Sequence, residues 1–272
     1  MSAGVISIDH PHTIQGSSPM KTLRDTWLIF ERSAVLTIRN PVWLFFGLMQ
    51  PILYLVLFGP LLEKVVRAPG FPPGGAWNVF VPGLLIQIAM FGAGFVGFGL
   101  IAELRYGVVE RMRVTPMSRV AMLLGRSLRD VVFLCGQAVV LIVIAIPFGL
   151  TIDPAGIAVT LGLLALIGLA LAPTSYALAL RLKSEDAFAP MLNSVLLPLL
   201  LLSGIFLPMS LAPDWLRTLS SLNPFEHTVE AARALFNGHW SDPQIAIGAG
   251  VAGVLAIVAV WVGSRAFSRA VA

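Results

Sequence analysis

Charge is what this chain has least of. Only 12% of its 272 residues are Asp, Glu, Lys or Arg, about half the share usual in soluble domains. With 57% apolar residues and a mean hydropathy of +0.87, a water-soluble globular domain is excluded. Cysteine is nearly missing. Cys135 stands alone inside an apolar run, so neither an intrachain disulfide framework nor a cysteine metal site is possible, and it reads as a small core residue. Histidine occurs only at 10, 12, 227 and 239, too scattered for the clustered base, nucleophile or metal set that a membrane-embedded enzyme would need. Lysine occurs only at 21, 64 and 183, preceded by Met, Glu and Leu. A phosphate-cradling G-x-x-x-x-G-K-[ST] loop therefore cannot be written in this chain. If the protein uses ATP, another polypeptide hydrolyses it.

What remains is an all-α polytopic membrane protein. Apolar runs of about 18–25 residues recur, the length that crosses about 30 Å of hydrocarbon as helix. They are apolar on every side, unlike the alternating segments of a spanning barrel. Residues 1–19 have neither a basic start nor an apolar core, so they are read as a flexible cytoplasmic tail and not a cleavable signal. His10 and His12 in that tail are read as solvated. Residues 20–272 are read as one transmembrane domain. It opens with an amphipathic helix at 20–40, started by Ser18-Pro19 and ended by Asn40-Pro41, lying in the membrane interface. Its apolar stripe is Leu23, Trp27, Phe30, Ala34 and Ile38, and Lys21, Arg24, Asp25, Glu31 and Arg32 occupy the remaining surface. Six spans follow at about 42–62, 79–102, 131–150, 155–180, 188–207 and 244–262. Fourteen of the 18 Lys and Arg fall on the side that holds both termini, which the positive-inside rule makes cytoplasmic.

Within the second span, FGAGFVGFG at 91–99 alternates small residues with Phe91, Phe95 and Phe98. The glycines suit close helix packing, and the rings suit a path for an apolar substrate. Asn193 and Ser194 are polar at mid-span in the fifth and are expected to face the bundle. Between spans five and six, residues 208–240 are too polar to cross. Two short helices are expected, from Pro213 and from Pro224 with Asn223 as cap and Glu226 and Glu230 near the start, lying against the outer surface. Glu226 with His227 invites an acid/base reading, but no nucleophile or carboxylate pair accompanies them.

The 28 residues from 103 to 130 hold far more charge than a connection needs. Glu103, Arg105, Glu110, Arg111 and Arg113 share a short helical segment that Pro116 interrupts, because Thr115 before it is pushed out of the α region. Ser118 then caps a helix toward the third span. The result is a helix–break–helix knob of mixed charge, with Val108, Val109 and Met112 as its apolar part. RYGVVERMRVTPMSRVAMLLGRSLRD at 105–130 and LLSGIFLPMSLAPDWLRTLSSLNPFEHTVEAARALF at 201–236 together resemble the permeases of type-two ABC exporters, including the daunorubicin-resistance type. That resemblance implies a six-span subunit of the bacterial inner membrane. It would pair with a second permease, identical or not, and with two cytoplasmic ATPases holding ATP and magnesium, and nucleic acid is no partner. It further implies that Arg105, Gly107, Glu110, Arg111, Arg113, Thr115 and Pro116 form or shape a coupling helix. Phe91, Phe95 and Asn193 would line a substrate path at the subunit interface. Drug export, and with it antibiotic resistance, is one expected role, and export of a glycan or lipid-linked polymer is the other within the family. The aromatic, weakly polar second span favours a hydrophobic small molecule or lipid. An ion-coupled secondary transporter would need ionisable groups near the midplane, and the predicted span cores contain none.

Overall fold

A computed structural model describes residues 19–39, 42–66, 71, 74–107 and 118–270. Among them there are helices and turns and no strand, as the uniformly apolar runs require. In chain order they form α1 (Pro19–Ile38), α2 (Val42–Val65), α3 (Gly75–Gly94), α4 (Gly97–Arg105) and α5 (Arg119–Ala145). A 3-10 turn at Ile146–Phe148 leads to α6 (Pro154–Leu182), α7 (Glu185–Leu201), α8 (Asp214–Ser220), α9 (Pro224–Phe236) and α10 (Pro243–Ala270). Two Pro-started helices have the expected side-chain caps. Asp153 accepts from the Ala155 N–H and Asn223 from the Phe225 N–H, both at 3.1 Å, satisfying donors that the first turn leaves free.

Five stretches of the described chain are long and apolar enough to cross a membrane: Phe45–Val65, Gly75–Arg105, Arg119–Phe148, Pro154–Leu182 and Pro243–Arg269. They coincide with five of the six predicted spans. The region predicted as 188–207 is α7, whose 17 residues reach about 25 Å, short of the roughly 30 Å of hydrocarbon. The helix stops because both the N–H and the hydroxyl of Ser203 turn back to the Leu200 carbonyl, and Gly204 then takes φ +71°. That left-handed conformation is cheap only for glycine.

Four sequence-based expectations need correction. First, the third crossing does not start at 131, because its helix runs without interruption from Arg119. Glu103 and Arg105 end α4, while α5 begins at Arg119 and carries Arg126, Arg129 and Asp130 into the bundle. The helix expected after Ser118 is present and continuous with the span, and its charges do not end it because they are paired. Second, Asp25 is buried rather than solvated. It faces the start of α5, where its carboxylate accepts from the Ser118 N–H at 3.4 Å. Ser118 is the N-cap residue but its hydroxyl caps nothing, so α1 supplies the acceptor.

The third correction concerns α9, which is not laid on the surface. Phe225, Val229, Ala231, Ala232, Leu235 and Phe236 are all buried between α3, α6 and α10. Its alanines make it thin, and glycines on its neighbours let it in. A Cβ on Gly156 of α6 would sit 2.2 Å from the Leu235 carbonyl oxygen, and one on Gly248 of α10 would sit 2.5 Å from that of His227. Fourth, Asn193 and Ser194 are exposed on this chain. The buried stripe of α7 is Phe188, Leu192, Leu196 and Leu200, at steps of four, and Asn193 falls beside it.

Candidate functional site

Several helix ends converge at one end of the bundle, and they frame the charged segment singled out above. Arg105, the last residue of α4, lies 3.5 Å from Glu185 at the start of α7. Gly107 follows with φ +67°. Glu110, Arg111, Arg113, Thr115 and Pro116, with Val108, Val109 and Met112, lie outside the described residues. On the far side of that gap, Ser118 is tied to Asp25 of α1, and Arg119 donates to the Ser268 carbonyl near the end of α10 at 2.7 Å. The described flanks of that segment are therefore tied to α7 on one side and to α1 and α10 on the other.

Just inside this rim lies a polar network that the sequence reading did not find. Arg126 of α5 meets Glu103 of α4 at 2.6 Å, with Arg126 only 6% exposed. One turn deeper, Arg129 meets the buried Asp130 at 2.7 Å and donates to the Thr37 hydroxyl of α1 at 3.0 Å and to the Tyr176 hydroxyl of α6 at 3.1 Å. Tyr176 in turn donates to Asp130 at 2.5 Å. Residues 126, 129 and 130 stand at i, i+3 and i+4, one face of a helix. That spacing is visible in the sequence, on the helix expected after Ser118, and is the signal that could have identified the cluster. Packing there is close: a Cβ on Gly125 would come within 2.7 Å of the Thr26 carbonyl oxygen. In a low-dielectric interior each of these charges would be costly alone. Paired, they lock α1, α4, α5 and α6 together.

The second predicted feature is the aromatic one. Phe91 and Phe95 stack at 5.8 Å between ring centroids, as do Phe95 and Phe98, and Phe98 meets Phe188 of α7 edge-on at 4.9 Å. The ladder continues across the break between α3 and α4, where the backbone bends. Ser175 of α6 fills the break: its hydroxyl donates to the Gly94 carbonyl at 2.5 Å and accepts from the Gly97 N–H at 2.9 Å. A side chain inserted into the hydrogen-bond ladder is a recognised cause of a helix kink. Phe91 and Phe95 are half-buried, while Asn193 lies on the exposed side of α7. The structure thus joins the phenylalanines to α7 but turns Asn193 away from this chain's own core.

At the opposite end Arg233 of α9 is only 3% exposed. It donates to the carbonyls of Val79 at 2.9 Å and Gly204 at 2.6 Å and pairs with Glu230 at 2.6 Å. Asn78 donates to the Phe236 carbonyl at 3.1 Å and to the Thr151 hydroxyl, and accepts from the Thr151 N–H at 3.1 Å. Glu226 and His227 meet at 3.3 Å, and no cluster of three metal-ligating side chains occurs among the described residues.

Residues 24–237 match the family described as ABC-2 type transporter, a stretch that runs from α1 through the bent second span to the end of α9. The chain belongs to that family. Among curated proteins it is 27% identical over 217 residues to ycf38 of Cyanophora paradoxa, described as a candidate transport permease, covering 79% of this chain and 75% of that one. The ycf38 proteins of Pyropia yezoensis and Porphyra purpurea, described in the same words, are each 28% identical over 217 residues, covering 77% of this chain and 73% of theirs. For an ABC-2 transporter, the geometry gives two regions of interest: the tied flanks of a charged segment at one end of the bundle and an aromatic ladder beside the α3–α4 break in the second span.

Proposed function

We infer that this chain is the membrane subunit of an ATP-driven exporter, moved by a separate cytoplasmic ATPase through residues 103–118. The observation that carries this reading is the anchoring of both flanks of that segment. Arg105 and Glu103 tie its start to α7 and α5, and Ser118 and Arg119 tie its end to α1 and α10. A push on a segment held this way displaces several membrane helices together, as nucleotide-driven closure of a partner requires. The anchored end is then cytoplasmic, and α7 with the turn at Gly204 supplies the sixth crossing. Two ATPases would carry ATP and magnesium, and a second permease would complete the path. The phenylalanine ladder with Asn193 at its flank suits a hydrophobic drug-like or lipid substrate at that subunit interface.

The test uses the permease reconstituted with its ATPase. The double substitution Arg111→Glu and Arg113→Glu is expected to leave membrane insertion intact while export falls at least tenfold and hydrolysis no longer responds to substrate. Export at the parent rate would remove the assigned role. One observation favours a second reading: Asp130 is a buried carboxylate of the kind an ion-coupled transporter uses. It is already satisfied by Arg129 and Tyr176, which argues for a structural role. Transport collapsed by a protonophore while ATP stays abundant would reverse that judgement.

A further inference from the structure

The described surface also holds a cleft that the transport reading leaves unused. It lies between the last turns of α6 and α10 and is lined by Ala177, Leu180, Arg181, Trp261, Arg265 and Arg269 among others. No carboxylate lines it. None of the three arginines has an ion pair among the described residues, whereas Arg105, Arg126, Arg129 and Arg233 all do. Trp261, Arg265 and Arg269 follow one another at steps of four, so they form a single row along α10. Each step climbs about 6 Å toward the helix end. Ala177 and Arg181 repeat the pattern on α6. The cleft is therefore graded: small apolar side chains and an exposed indole at depth, then guanidinium groups above. The Arg265 guanidinium lies 3.7 Å over the centre of the Trp261 ring. That stacking fixes its plane and leaves N–H edges free to donate.

We propose that this cleft binds the phosphate headgroup of an anionic phospholipid, with the first acyl carbons lying against Trp261, Leu180 and Ala177. A graded order of apolar wall, indole and arginine matches the order of acyl chain, interface and phosphate across a leaflet. Three unpaired guanidinium groups fit phosphate oxygens through paired N–H bonds better than a single lysine would. An acidic protein surface is the weaker occupant, because it would pair with the arginines but leave the apolar wall of Ala177, Leu180 and the Trp261 indole without a matching partner. The inference needs only that the chain crosses a bilayer, so it stands apart from the ATPase coupling proposed above.

The full chain is purified in mild detergent, and bound lipid is counted by native mass spectrometry during titration with phosphatidylglycerol or phosphatidylcholine. At least one saturable phosphatidylglycerol is expected, retained about tenfold better than phosphatidylcholine. The triple substitution Arg181→Gln, Arg265→Gln and Arg269→Gln is expected to abolish that preference. A charge-conserving variant, with all three arginines changed to Lys, is expected to keep it in part, and it serves as the fold control. Equal retention of the two lipids, or undiminished preference in the glutamine variant, overturns the proposal. Displacement of the lipid by millimolar inorganic phosphate also overturns it, pointing to a free-phosphate site. So does loss of ATPase association in the glutamine variant with lipid retention unchanged, which would assign the cleft to a protein partner.

Discussion

At the scale of single residues, a few side chains close gaps that the backbone leaves open. Ser175 occupies both orphaned groups of the bend in the second span, so Ser175→Ala leaves a buried carbonyl and a buried N–H unpaired. The expected loss is about 1–3 kcal/mol, read as a lower thermal midpoint in detergent, and an unchanged midpoint would mean that the bend does not depend on the hydroxyl. Arg233 does comparable work at the opposite end. Arg233→Met keeps the bulk but strands Glu230 and the carbonyls of Val79 and Gly204, and should cost about 3 kcal/mol. Hydrogen exchange should report that loss as faster opening of α8 and α9, with α5 and α6 unaffected. Neither role could be read from the chain alone, because the partners lie 78 to 154 positions away for Gly97 and Val79.

At the scale of elements, local signals were reliable where the chemistry is local. Asn223 before Pro224 announced the start of α9, and the cap is present. The same segment misled on placement, since its polar residues suggested a surface helix while its alanine face is buried against glycines of α6 and α10. Burial also raises the pKa of Glu226 at the α9 start; His227 beside it pulls the other way, and Glu230 adds to the rise. A carboxyl raised in the folded state favours folding below its ordinary pKa, and that contribution is lost as pH rises through the elevated value. Glu226→Gln should therefore gain stability relative to the parent near neutral pH, with the difference shrinking in acid. Thermal midpoints from pH 4 to 8 check the sign, and a difference that grows in acid would contradict it.

At the scale of the whole molecule, Asn193 and Ser194 stand exposed on a helix otherwise surrounded by apolar surface. A lone amide facing hydrocarbon is unfavourable, so a second permease subunit is expected to cover it. A thiol introduced by Asn193→Cys, on a background of Cys135→Ala, should be shielded from a membrane-soluble maleimide in the assembled transporter and react in the isolated chain. Equal labelling of both would leave α7 facing lipid. The sequence by itself determined the class of protein: an all-helical membrane domain and the positions of five helices long and apolar enough to cross a bilayer. Those follow from composition and from run length, which are properties of contiguous residues. Only the tertiary structure decided that Arg126, Arg129, Asp130 and Tyr176 are one network, that α9 is buried, and that Asp25 rather than the Ser118 hydroxyl serves the start of α5. Charge read along a chain looks like exposure to water. Charge in a bundle is tolerated where folding sets an opposite partner within about 3 Å, from another helix as Glu103 does for Arg126, or from the same one as Asp130 does for Arg129 and Glu230 for Arg233.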